Sequence, residues 1–300
     1  MPFPHPARLA PAILLCQFAA GAALACAQYD DIVAAVEGND AASAAALYEV
    51  IAVAADCDDA LREWLGDYLA RDAFLKAMDD RTAPEDRRAG LTRALGFEKH
   101  WRSYAELGRL DWSAHKFGSA AVNFQLAINE LVEGDPKHAA ETSEIAEVYQ
   151  LASASLALAD GVVDMPKTRS GEMGGVFATS IRGFSVEEVD LPITFKFAST
   201  QFDERGAEYA QMLADHLKGM GAAHIALAGH TDPIGTEEYN NTLSLARADA
   251  VAGFLKSHGY SGEIETEGFG ESQLPPPPPG VAEGSEEHYR IARRVGFQTR

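Results

Sequence analysis

The 300 residues predict an α+β fold in two parts: an all-α, helical-repeat-like N-terminal domain followed by a βαβαβ-type α/β sandwich. Three observations predict it. Residues 30–160 are rich in Ala, Leu and Glu, and their apolar positions recur at helical spacing with almost no β-branched clusters. Residues 165–190 then lose that period and carry Pro166, Gly171, Gly174, Gly175 and Gly183, the composition of a connection. Beyond them, strand-like runs alternate with helical ones, which is the order of βαβ units with helices on one face of a sheet. A composition of 47% hydrophobic and 23% charged residues is that of a globular chain with room for about two domains.

The elements follow in chain order. Arg8, the apolar run Leu9 to Leu24 and the triplet Ala25-Cys26-Ala27 have the layout of a secretory signal peptide, residues 1–27, with cleavage expected after Ala27. The run is too short, and interrupted by Pro11, to serve as a bilayer anchor, and no later segment is apolar enough to span one as a helix. Lipidation at Cys26 is the rival, although Ala23-Leu24-Ala25-Cys26 is only loosely like a lipoprotein site. Cleavage after Ala27 removes Cys16 and Cys26 and leaves Cys57 alone, so a mature chain without an internal disulfide is expected. It also removes Arg8, one positive charge, and takes the formal charge from −20 to −21. Nucleic acid and anionic lipid surfaces are thereby excluded as bulk partners.

In the helical domain, residues 28–160, breaks are expected at Gly38-Asn39-Asp40, Asp79-Asp80, Thr82-Ala83-Pro84 and Glu133-Gly134-Asp135-Pro136. Tyr104, Leu107-Gly108, Ala120, Phe124 and Ala127, with Asp135-Pro136 behind them, resemble the tetratricopeptide pattern. Small residues at Gly108 and Ala120 let paired helices approach, and Phe124 fills the groove between them. Trp64-Leu65-Gly66 echoes the first-helix signature without partners at the expected offsets, so a helical bundle stays open beside a repeat array. A repeat array implies a protein-docking face whose partner is unknown. Residues 161–190 are read as a linker with a short strand.

In residues 191–300, Ile193 to Phe197 alternates like a strand and Phe202 to Met220 is helical. His224 to Gly229 is a buried strand, Glu237 to His258 a second helix, Glu263 to Phe269 a third strand and Arg294 to Gln298 the last. Asn240, Ser244 and Arg247 fall at i, i+4 and i+7 and share one helix face, beside the apolar stripe Ala248, Val251, Ala252 and Leu255. Asp232 ends the preceding strand. An acid and a guanidinium at one cleft suit a zwitterion, Asp232 taking an ammonium and Arg247 a carboxylate by a two-pronged contact.

Gly229-His230-Thr231-Asp232, Gly235, Tyr239-Asn240, Leu243-Ser244 and Arg247-Ala248, with Gly268-Phe269-Gly270-Glu271 and Arg293-Arg294-Val295, resemble the OmpA-like C-terminal domain over Leu191 to Phe297. The resemblance implies noncovalent peptidoglycan binding through the diaminopimelate of the stem peptide. It places Asp232 and Arg247 as ligand contacts, Asn240 as a supporting contact and one of Arg293 and Arg294, with Arg293 favoured, against the ligand. It further implies a periplasmic, cell-wall-associated protein, with outer-membrane association, that needs no cofactor or metal. Two departures stand out: Ala292 where the family usually has Asn, and the polyproline run Pro275 to Pro279, which shades the pocket, displays a docking peptide or is a rigid surface loop.

An enzyme is not expected. A metal-enzyme reading would start from His230 and Asp232 with His224 nearby, but no third ligand is apparent at ligand spacing, and no nucleophile elbow or phosphate loop occurs. Residues 28–160 lack the alternating segments of an outer-membrane barrel. The remaining alternative is a periplasmic helical adaptor whose C-terminal domain is mainly structural.

Overall fold

The computed structural model describes residues 26–134, 138–196 and 198–300. The expected leader, apart from Cys26 and Ala27, and the Asp135-Pro136 break lie outside the described residues.

Among the described residues seven helices come first: α1 (Tyr29–Glu37), α2 (Ala41–Ile51), α3 (Asp59–Ala77), α4 (Pro84–Phe97), α5 (Trp101–Ser113), α6 (Phe117–Glu133) and α7 (Thr142–Leu158). The breaks have local causes. Asn39 turns with φ +52°, and the Asp40 carboxylate then accepts from Ser43 N to start α2. Asp58 does the same for α3 through Leu61 N, and Pro84 opens α4 where no intrahelical N–H is needed. Each helix packs on the one that follows. At the α5–α6 crossing a Cβ on Gly108 would lie 2.7 Å from the Phe124 ring, and Ala120, Phe124 and Ala127 are wholly buried. That close approach is the one the Gly-Ala-Phe spacing predicts. Gly66 has a similar part: a Cβ there would lie 3.2 Å from the Phe97 carbonyl across α3 and α4. His138 ties the same helices together from the start of the α7 approach: its Nε2 is 3.2 Å from Glu98 Oε1 and 3.8 Å from Asp67 Oδ1.

Residues 161–190 were expected to link two units, and they are packed rather than slack. A 3-10 turn at Gly175–Phe177 is held by α6, whose buried Gln125 and Asn129 side chains accept from Val176 N and Gly175 N at 2.7 Å each. Tyr149 of α7 donates to the Val176 carbonyl at 2.6 Å. A hairpin of β1 (Ser180–Ile181) and β2 (Phe184–Ser185) follows, turned by Arg182 and Gly183 at φ +47° and +87°, the mirror-image turn that suits strand twist. Arg182 then caps the end of α6, donating to the Leu131 carbonyl at 2.5 Å and the Gly134 carbonyl at 2.8 Å.

The C-terminal sheet comprises β3 (Val189–Leu191), β4 (His224–His230), β5 (Glu263–Gly270) and β6 (Val295–Thr299), with α8 (Glu204–Met220), α9 (Glu237–Ser257) and α10 (Glu286–Ala292) between them. Strand order is β3-β6-β4-β5; β4 and β5 are parallel and β6 runs antiparallel to both its neighbours. This is the expected α/β sandwich, with one strand misplaced. Ile193 to Lys196 does not join the sheet, Phe197 lies outside the described residues, and Val189–Leu191 takes the edge instead. The reason lies in backbone hydrogen bonding. Ile193 N folds back on the Leu191 carbonyl at 2.8 Å, Lys196 N bonds to the Gln201 carbonyl at 2.8 Å, and Gly206 of α8 presses on the Thr194 backbone. The alternation records one-sided burial of Ile193 and Phe195 under helices, and a ladder is not needed to produce it.

One apolar core runs from Trp101 in α5 to Phe297 in β6, joining helices and sheet. Arg290 donates to the carbonyls of Ala157 and Ala159 at 3.3 and 3.1 Å, and Arg205 to those of Leu156 and Ala157, so two cations close the negative end of α7. The polyproline run is a clasp. Trp112 Nε1 donates to the Pro279 carbonyl (2.8 Å), Gln150 to Pro276 (3.2 Å), and His288 Nε2 lies 2.8 Å from the Pro275 carbonyl. Because the ring nitrogens of proline carry no donor, these carbonyls are free to accept from both sides.

Within this core His216 of α8 lies 4.6 Å from the Phe177 ring and 6.1 Å from that of Phe297. Burial pushes its imidazole down to about 4 from an ordinary 6.5. The unfolded chain therefore takes up this proton first. The stabilisation, about 3 kcal/mol in full, is present above pH 6.5 and lost as pH falls toward 4. His216→Phe is expected to flatten the fall in urea midpoint between about pH 7 and pH 4.5; an unchanged slope would show that other groups govern it.

Candidate functional site

Close backbone approach builds the site. A Cβ on Gly229, near the end of β4, would strike the Ser244 carbonyl of α9, and one on Gly268 of β5 would lie 2.5 Å from Leu245 N. Only glycine lets both strands lie so tightly under the first turns of α9. The chain leaving β4 is thereby delivered beside the start of that helix. Thr236, not Asp232, caps it, accepting from Tyr239 N at 3.2 Å.

Asp232 is left for other work. Its Oδ1 accepts from Ile234 N at 3.0 Å, an Asx turn, and its Oδ2 accepts from Arg293 Nη1 at 2.6 Å. Arg293 also pairs with Glu286. Burial works against its charge, but the Asp232 and Glu286 carboxylates outweigh it and hold the guanidinium above its ordinary value. Arg294 points elsewhere, pairing with Asp190 at 2.8 Å, so of the two arginines only Arg293 meets Asp232.

The shared helix face divides its labour. Asn240 is buried; its Nδ2 donates to the Asp232 carbonyl (3.2 Å) and to Glu271 Oε2 (2.5 Å), fixing the loop. Ser244 Oγ accepts from Gly270 N at 2.9 Å and pins the end of β5. Arg247 alone continues outward. Its guanidinium lies 5.0 Å above the Phe195 ring, and its Nε donates a long bond to the Ser199 carbonyl at 3.4 Å. Among the described residues no carboxylate lies within 4.0 Å of it. Burial pushes Arg247 below its ordinary value, while the fields of Tyr239 and Asp232 oppose that and Arg293 adds to it. The charges of Asp232 and Arg293 are thus near enough to act on Arg247.

Of the sequence-predicted residues, the structure joins Asp232 to Arg293 directly and makes Asn240 a brace for the loop. Sequence reasoning missed Glu271 and Glu286, whose roles come from contacts 31 and 7 residues away, and Phe195, which was read as part of a strand. His224, His230 and Asp232 do not converge. His224 faces Glu265 (3.4 Å), and His230 faces Glu188 (3.1 Å) while stacking on Phe269.

β4, α9 and β5 form a parallel β-α-β unit, with Asp232 just beyond the end of β4 and Arg247 on α9. A family model for the OmpA family matches residues 194–279. The peptidoglycan-associated lipoprotein of Haemophilus influenzae is 35% identical over 127 residues, covering 41% of this chain and 79% of that protein. Outer membrane porin F of Pseudomonas aeruginosa is 33% identical over 112 residues, 37% of this chain and 32% of that protein. Among solved structures, the cell wall anchor of the T6SS from Pseudomonas aeruginosa matches with a TM-score of 0.31 and 26% identity, covering 37% of this chain and 78% of that one. The peptidoglycan-associated lipoprotein from Burkholderia pseudomallei gives 0.29 and 28%, covering 38% and 89%. The chain belongs to the OmpA family, through its C-terminal part.

Proposed function

We propose that the C-terminal domain binds peptidoglycan noncovalently through the diaminopimelate of the stem peptide and tethers the helical domain to the cell wall. The observation that carries this reading is Arg247, a partly buried guanidinium without a carboxylate partner among the described residues, beside the Asp232–Arg293 pair. A ligand carboxylate completes Arg247 as a two-pronged contact, and the ligand ammonium takes the face of Asp232 not used by Arg293. Binding of this kind forms no covalent bond, and the relatives above include a peptidoglycan-associated lipoprotein. Each charge-assisted bond contributes about 1.5–3 kcal/mol, so one stem peptide is held modestly and retention comes from the repeated ligand of the wall.

The seat of action is then the periplasm, with association to the wall and through it to the outer membrane. The helical domain presents its faces to a protein partner. One observation favours the alternative, an adaptor with a mainly structural C-terminal domain: Asp232 and Arg293 already satisfy each other.

Competition separates the readings. Protein bound to purified sacculi is expected to be released by a free muropeptide containing diaminopimelate and not by one containing lysine, which lacks the terminal carboxylate. Equal release by both would remove the diaminopimelate assignment and keep wall binding. Absence of sedimentation would leave the adaptor.

A further inference from the structure

Cys26 and Cys57 form a disulfide across 31 residues, and both are buried, 5% and 3% exposed. The expectation of a disulfide-free mature chain rests on a cut after Ala27, and that cut would discard one half of this bridge. The bridge is embedded in its surroundings. Cys26 and Cys57 belong to the same apolar cluster as Ile32, Ile51, Leu61 and Leu65. Ala27 N donates to Asp56 Oδ2 at 3.1 Å, and Tyr29 N donates to the Cys26 carbonyl at 3.2 Å, one turn before α1. Residues 26 and 27 are thus built into the helical domain, between the start of α1 and the loop that leads into α3.

The sequence holds two overlapping small-x-small triplets, Ala25-Cys26-Ala27 and Ala23-Leu24-Ala25. Both satisfy the processing pattern, and only the second keeps Cys26. We propose that the leader is cut between Ala25 and Cys26, and that the new N-terminal cysteine is oxidised onto Cys57 and not lipidated. The chemistry is a thiol exchange. One cysteine thiolate attacks the disulfide of a periplasmic dithiol oxidase, forming a mixed disulfide and releasing one oxidase thiol. The second cysteine thiolate then displaces the other, leaving the Cys26–Cys57 bond and the oxidase as a dithiol. A thioether to lipid would consume the same Cys26 sulfur, so the two fates exclude each other. The N-terminus is then stapled to the start of α3, and nothing lipid-borne is left at Cys26 to hold the chain to a membrane. This inference is independent of the wall-binding site.

The test uses the full chain with its leader, expressed in a Gram-negative host and recovered from the periplasm under thiol-blocking conditions. Intact mass and peptide mapping are expected to show Cys26 as the first residue and its peptide joined to that of Cys57, separating on reduction. In Cys57→Ser the Cys26 thiol should become open to alkylation once the protein is denatured, with the N-terminus unchanged. A first residue at Gln28, an acylated Cys26, or a Cys57 that alkylates in the denatured chain without reduction would each overturn the proposal.

Discussion

Arg247→Ala is expected to leave the protein folded and to weaken single-site binding to cell-wall fragments by about thirtyfold or more, the equivalent of one two-pronged charged contact of about 2–3 kcal/mol. On sacculi this reads as loss of co-sedimentation. The fold should survive because Arg247 contributes to it only a 3.4 Å bond to a carbonyl and stacking on Phe195. Arg247→Lys keeps the charge without the planar fork and should fall between the two. Asp232→Ala is the companion variant, with a complication: it also strips Arg293 of its 2.6 Å partner and Ile234 N of its acceptor. Asp232→Asn preserves the turn, so a sedimentation loss shared by Asn and Ala reports on the ligand's ammonium, not on the loop. Both variants pelleting with sacculi as well as the parent, while retaining its circular dichroism, would sink the site.

Gly229→Ala is expected to destabilise the C-terminal domain by about 3 kcal/mol, at the upper end of overpacking effects. The added carbon meets the Ser244 backbone carbonyl, which cannot rotate away as a side chain would, so α9 must lift from β4. Lifting α9 separates Asn240 from the Asp232 loop and Ser244 from Gly270, and wall binding should fall with stability. Gly253→Ala on the exposed side of the same helix is the control. Nothing lies within 4 Å of its new carbon, and helix propensity alone should raise stability by up to about 1 kcal/mol. Urea midpoints of the two variants moving in the same direction would refute the packing argument.

Much of this was legible in the chain. The helical breaks at Gly38-Asn39-Asp40 and Pro84, the cramped crossing at Gly108, and the placing of Asn240, Ser244 and Arg247 on one face all depend on residues close in sequence. What failed did so for a common reason. Ile193 to Phe197 alternates as a strand would, yet Lys196 N bonds to Gln201 and Ile193 N to its own preceding turn, and period alone does not say where a backbone finds partners. The linker composition of 161–190 did not foretell that Gln125, Asn129 and Tyr149 would seize its 3-10 turn.

The amino-acid order by itself determined the two-part α+β plan, the strand-helix alternation and the candidate zwitterion residues, because periodicity, caps and glycine spacing are local. Tertiary structure alone decided that Arg293 pairs with Asp232 while Arg294 turns to Asp190, that the prolines clasp α5 and α7, and that Cys26 meets Cys57. Each of those outcomes is a choice among chemically equivalent partners far apart in the chain. Only packing in three dimensions ranks them, since it sets which groups come within hydrogen-bonding reach and which are left to water.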